Sequence, residues 1–417
     1  MKAVSCRLSG EVGVSGAAAE CTTSLRSRFI PGRKVVNRCA ASAVFPSKGP
    51  AFGVRGRSGH RRHGQHRTAT TVQAHKSSSD RSLGPYRPSS EVGKYMHELM
   101  DTYPEQFVTA VVQQLEKLEV DEEDAVEPPP RFEDAMLKEL HGRVQDLKRR
   151  EKQLEKQSAV EDLMYLCVVM CFSDLGLKLT PSLYDHEISR LLVSNAEADK
   201  DSEELLGTHD AEASQLVKEY IRQLTHDTEP IAVGSYQMRM PPMVGNSTIA
   251  IPYVFLSQMY DSAVRFGYSL KRAQQIQDLD RSLSVYSPAS TTNDDGLIQT
   301  RTTEIAPVPL IAYLYRDGEK PSTIKMGSDA AGRVCKLQTD GLFGAYEMHS
   351  SQMERALQAS TSVEDAQWRL DQAMCTESIS WMNLSLAGIE RLLLEAITFG
   401  RILWDVESTF GIEYHLL

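Results

Sequence analysis

Few side chains in this sequence stand at spacings that carry chemistry. The most suggestive acid is Glu395, set inside the apolar run Leu392-Leu393-Leu394 and Ala396-Ile397. Arg391 precedes it by one helical turn, where the two can form an ion pair. A carboxyl among leucines can be tuned for general acid–base work, but such work needs a second tuned group, and none stands out. The expectation is a structural, semi-buried pair Arg391–Glu395. Asp405 and Glu407 follow on the same helix and could cap it or bridge between domains. His97-Glu98 and His186-Glu187 look like the opening of a zinc-protease helix, which requires a second His four residues after the first. Asp101 and Arg190 stand there instead. Cys167 and Cys171 share one helix face; the preferred reading is two small core residues. Half of a metal site or a redox pair is the rival, and no His or second Cys pair at ligand spacing supports it. Glycine-rich phosphate loops and nucleophile elbows are absent from the sequence. No catalytic, cofactor-binding or metal residues are therefore expected.

Two further segments resemble one another. Residues 263–270 read AVRFGYSL and residues 396–403 read AITFGRIL. Each lies in a long apolar helix late in its half of the chain, which points to an internal duplication. A glycine inside a helix costs about 1 kcal/mol against alanine. Gly267 and Gly400 are thus expected to face another helix at close range, each in the core of its own domain. Phe266 and Phe399 should fill the adjoining space, and Trp404 should pack near the domain junction.

The elements that position these residues follow from apolar periodicity. Two amphipathic helices span 91–118, the second opened by Pro104. An acidic loop near 119–130 ends in three prolines. Residues 131–173 form one long helix or two abutting ones. Its first part carries a narrow stripe, Leu137, Leu140, Val144, Leu147 and Leu154, among many charges. A coiled-coil arm is one reading; a solvated helix packed on its own domain is preferred. From Val160 the helix is apolar on most faces and must be buried. A short helix at 182–193, an acidic loop near 195–213 and a helix at 214–225 follow. Residues 231–249 are irregular, with room for a brief strand at 231–240. A helix then runs from Pro252 to about Leu283. The Ser/Thr/Asn/Asp-rich stretch 284–304 is the best internal boundary. Further helices are expected near 308–316, 321–340, 347–374 and 386–410. The fold class is mostly α: two duplicated, diverged helical domains, 90–283 and 305–417, after a disordered leader.

Charge identifies that leader. Residues 1–76 hold fourteen Lys and Arg against Glu11 and Glu20, leaving 32 basic and 54 acidic side chains for the remainder. A basic, acid-poor, Ser- and Ala-rich start without a continuous apolar core has the character of a transit peptide covering 1–75. Val72-Gln73-Ala74 is the preferred processing site over Val36-Asn37-Arg38-Cys39-Ala40. A plastid stroma is the expected address, with a mitochondrion as runner-up. A nucleic-acid-binding tail is the rival reading of this segment. The acidic remainder repels nucleic acid and anionic lipid. Its longest apolar run, LMYLCVVMCF at 163–172, is too short to span the ~30 Å hydrocarbon layer.

Three segments carry a family resemblance: 160–183 (VEDLMYLCVVMCFSDLGLKLTPSL), 253–277 (YVFLSQMYDSAVRFGYSLKRAQQIQ) and 389–409 (IERLLLEAITFGRILWDVEST) with Tyr414-His415. Together they resemble the plant chloroplast family of UV-B-induced or seed-maturation-like proteins. That family is built on a domain of unknown function also found in single copy in cyanobacteria. The resemblance is strongest at the C-terminal helix and weak between about 284 and 385. It implies a plastid location and helical domains, and it supplies no catalytic residues. The expected role is a non-enzymatic protein that binds other plastid proteins, as a regulatory, assembly or quality-control factor in stress acclimation. The alternative is a small-molecule or pigment binder with a pocket between the repeat helices. An enzyme of an unrecognised class ranks last.

Overall fold

A computed structural model describes residues 84–120, 135–184, 195–226, 231–233, 236–238, 248–285, 308–316 and 318–414. These residues are mostly helical. The first helices are α1 (Glu91–Thr102), α2 (Pro104–Val120), α3 (Ala135–Asp174), α4 (Asn195–Leu206) and α5 (Ala211–His226). Strands β1 (Ile231–Val233), β2 (Tyr236–Met238) and β3 (Thr248–Pro252) precede the long α6 (Tyr253–Val285). The second half contains α7 (Leu310–Leu314), a 3-10 turn at Pro321–Thr323, α8 (Asp329–Phe343), α9 (Tyr346–Leu357) and α10 (Val363–Cys375). Strand β4 (Trp381–Ser385) and α11 (Leu386–Tyr414) complete it.

Local chemistry sets several boundaries. Ser90, Ser328 and Ser362 cap α1, α8 and α10 by accepting from Gly93, Ala331 and Asp365 N–H groups, each satisfying an orphan donor of the first turn. Gly176 and Gly344, at φ +72° and +85°, follow the ends of α3 and α8, a conformation that costs other residues a Cβ clash.

Several expectations are corrected. Residues 195–206 form α4 instead of part of an acidic loop; Ala, Glu and Leu are good helix formers even where the pattern is too polar to show a face. Residues 248–252 and 381–385 are strands; the sequence suggests irregular chain to 249 and a helix from Pro252, and no element between 374 and 386. They pair antiparallel, with Ala250 opposite Asn383. Pro252 is thus the last strand residue rather than the first helical one. The expected helix at 347–374 is two helices, α9 and α10, broken at Gln358–Ser362. The leader 1–75, most of the loop near 119–130 and nearly all of the boundary 284–304 lie outside the described residues, as does most of the helix expected at 182–193.

The expected pair of domains, 90–283 and 305–417, is one body with one continuous core. Apart from the β1–β2 pair inserted in the first half, the two halves share an order of elements, α3-α4-α5-β3-α6 and α8-α9-α10-β4-α11. Their last helices are exchanged. Helix α11 packs on α3 and α4 of the first half, while α6 packs on α8 and α9 of the second. Each half therefore buries the last helix of the other, which a two-domain arrangement could not do. No described helix is long and apolar enough to cross a membrane.

Candidate functional site

The crossing of α6 and α11 is the centre of the molecule. A Cβ on Gly267 would lie 2.7 Å from the carbonyl carbon of Ile397, and one on Gly400 would lie 2.8 Å from that of Val264. Each glycine thus faces the residue three positions before the other, and the contact is reciprocal. The interval from Gly267 to Gly400 also separates Ala250 from Asn383 and Tyr253 from Leu386, so strand pair and helix crossing share one pseudo-twofold arrangement. Ala263 and Ala396, one turn before the glycines, are fully buried. Phe266 stacks on Tyr220 of α5 at 3.9 Å, and Phe399 lies 6.4 Å from both Tyr165 and Phe172 of α3. Trp404 is half-buried, edge-on to Tyr268 at 5.0 Å. Each glycine lies against the backbone of the other's helix within the shared core, not against separate partners in separate domains.

Around this crossing the sequence-selected acid joins groups that periodicity did not flag. Glu395 is 0% exposed. Its Oε2 accepts from the Thr180 N–H at 3.0 Å and the Thr180 hydroxyl at 2.6 Å, and lies 3.5 Å from the Arg391 guanidinium. The Tyr260 hydroxyl approaches Oε1 at 3.4 Å and accepts from Gln338 Nε2 at 3.1 Å. Arg391 also donates to Asp201 at 3.0 Å. Burial lifts the Glu395 pKa above the ordinary carboxyl value, against the pull of Arg391 and Thr180. Burial, then Glu395, raises Tyr260 well above the ordinary phenol value. These groups bind α11 to the α3–α4 connection and to α4, α6 and α8. A fully enclosed carboxyl with its oxygens engaged by the protein is suited to holding helices in register; a general acid or base must reach a substrate.

A second buried polar set lies further along the two helices. Lys271 pairs with Asp405 at 3.3 Å, and Gln275 donates to the same carboxyl at 3.1 Å. The Arg401 guanidinium donates to the Thr208 carbonyl, and the Tyr268 hydroxyl to Glu407. Asp405 and Glu407 thus bridge α11 to α6. His209, buried next to Arg401 and Lys271, makes no ring hydrogen bond among the described residues. Burial, then these two cations, pushes its pKa down to about 3.

Cys167 and Cys171 are buried, and burial pushes the Cys167 thiol up to about 12, far from a reactive thiolate. His97 lies 3.7 Å from Asp101 on a helix surface. His186 and Glu187 lie outside the described residues. Among the described residues, no group of three or more His, Cys, Asp or Glu could hold a metal ion. A cleft of about 300 Å³ opens between α4, α5 and α11, lined by Leu206, Ile221 and Leu394 with Lys218, Arg222 and Glu390. It is near the lower limit for small-molecule sites.

The most exposed apolar feature is on α3. Residues 136–158 form an arm that precedes the buried part of the helix, which begins at Ala159. Leu137, Leu140, Val144, Leu147 and Leu154 are 41–65% exposed. The preferred expectation, a helix packed on its own domain, is thereby corrected: nothing else in the described fold covers the stripe. Ion pairs Arg143–Glu139 at 2.7 Å and Arg149–Asp146 at 3.3 Å run along its surface.

Comparison with known proteins extends the resemblance over most of the chain. A UV-B-induced chloroplastic protein of Arabidopsis thaliana is 24% identical over 387 residues, 84% of this chain and 82% of that protein. The similarity supports membership of the UV-B-induced protein family and a plastid address. No family model matches the chain, and no solved structure matches it.

Proposed function

We propose that this relative of a UV-B-induced chloroplast protein acts in the plastid stroma by binding another protein, as a non-enzymatic factor in stress acclimation. The observation that carries this reading is the exposed stripe of the α3 arm. Burying five apolar side chains would contribute several kcal/mol to an association, while leaving them in water contributes nothing to the fold. Glu395, whose pKa burial raises, is enclosed and tied into the core, which favours scaffolding over catalysis. The leader supports the address, and the relative's name, a UV-B-induced chloroplastic protein, supports plastid stress as the setting. A pocket for pigment between the repeat helices has less support, because the backbones of α6 and α11 touch at their crossing. The test is capture from stroma by the tagged full chain and by a Leu140→Gln/Leu147→Gln variant, with bound proteins identified by mass spectrometry. A protein held by the parent and lost by a variant of equal melting temperature supports the reading. Identical sets of captured proteins refute it.

A further inference from the structure

We propose that the α3 arm takes an acidic amphipathic helix of another protein, laid along the stripe from Leu137 to Leu154. The inference rests on the protein-binding reading above and gives the partner its chemistry. At 1.5 Å per residue the stripe is ~26 Å long, a fit for a partner helix of several turns. Its spacing places Leu137, Val144, Glu151 and Ser158 on one seam row, with Leu140, Leu147 and Leu154 on the other. The flanking positions are then Arg143 and Arg150 on one side, with His141, Lys148 and Glu155 on the other. In helix pairs these flanks select the partner.

The flanks disfavour a second copy of this chain. Antiparallel self-pairing with Val144 opposite Leu147 sets Arg143 against Arg150 twice, and His141 against Lys148. Parallel self-pairing sets Glu151 against Glu151 within the seam and Arg143 beside Lys148, against a single favourable flank contact, Arg150 beside Glu155. Like charges at such positions disfavour pairing. An acidic helix reverses each of these contacts, and one basic residue on its seam would meet Glu151. The arm holds seven Lys and Arg against four acids in a chain that is acidic beyond residue 76. It is thus a basic stretch on a molecule that is acidic beyond residue 76, and a surface toward which an acidic partner is steered. A membrane fits less well, because the apolar face is a narrow seam without Trp or Phe and the acidic remainder is repelled by anionic lipid.

The experiment uses the full chain and three labelled synthetic helices of about four heptads. All share a leucine seam with one Lys placed to face Glu151, and their flanks are Glu, Gln or Lys. Binding is followed by fluorescence anisotropy. The Glu-flanked helix should bind about tenfold or more tightly than the Lys-flanked one. Arg143→Glu/Lys148→Glu/Arg150→Glu should invert that order, and Leu140→Gln/Leu147→Gln should abolish binding of both. Circular dichroism and melting temperature show whether each variant is folded. Equal binding of all three helices, lost with the stripe variant, overturns the acidic partner and leaves protein binding standing. No binding to any helix also overturns it, whether the chain self-associates in light scattering, binds phosphatidylglycerol vesicles, or does neither.

Discussion

Replacing either crossing glycine with alanine should destabilise the protein, although alanine is the better helix former. Helix propensity alone favours Gly400→Ala by about 1 kcal/mol. Against this, the new Cβ would lie 2.8 Å from the Val264 carbonyl carbon and 2.9 Å from the Tyr268 nitrogen. Ordinary contacts are ~3.5–4.0 Å, and both obstacles are backbone atoms of an intact helix. The helices must therefore part by roughly 1 Å, which weakens the packing of Ala263 and Ala396 as well. Overpacking of this kind costs about 1–3 kcal/mol, and with backbone in the way the upper end applies. The net loss is about 2 kcal/mol for Gly400→Ala and the same for Gly267→Ala. Because one displacement makes room for both methyl groups, the double variant should lose less than the sum. Gly142 and Gly332 are internal controls. They also lie in helices, α3 and α8, and an added Cβ would meet nothing within 4 Å. Alanine there should stabilise by about 0.5–1 kcal/mol. Denaturant unfolding followed by circular dichroism measures all five variants. Crossing variants as stable as the Gly332→Ala control would refute the close-approach argument.

Three other outcomes are expected. His209, near pH 3 in the fold and about 6.5 unfolded, contributes stability that is present above 6.5 and lost as pH falls towards 3. From pH 7.5 to 5.5 the parent should lose about 1.4 kcal/mol relative to His209→Leu; denaturant midpoints of both proteins giving parallel pH profiles would contradict this. The Glu395 pKa is raised, so its contribution is full below the ordinary carboxyl value and declines as pH rises through the folded one. The stability of the parent minus that of Glu395→Gln should therefore be smaller at neutral pH than in acid, and a difference that grows with pH would overturn the desolvation account. Removing residues 1–74 from a fluorescent fusion should leave it in the cytosol; microscopy showing plastid accumulation would refute the transit-peptide reading.

What the sequence determined by itself was local. Periodicity placed α1, α2, α3, α5, α6 and α11 within a few residues, because a helix face is written in neighbours three and four apart. The two Phe-Gly segments and the flanked Glu395 stood out on the same scale, as did the stripe from Leu137 to Leu154. The strands at 248–252 and 381–385 did not, because each is five residues long and is stabilised by hydrogen bonds to a partner far away in the chain. Helix α4 was hidden by its acidity and is held from outside, by packing on α11 and by Asp201 against Arg391. Periodicity shows that a face must be covered and says nothing about by what. Only the tertiary structure decided that Gly267 and Gly400 each lie against the backbone of the other's helix, that the halves exchange their last helices, and that Thr180 and Tyr260 meet Glu395. It also decided that no described element covers the α3 stripe, since a helix is buried only where another element reaches it.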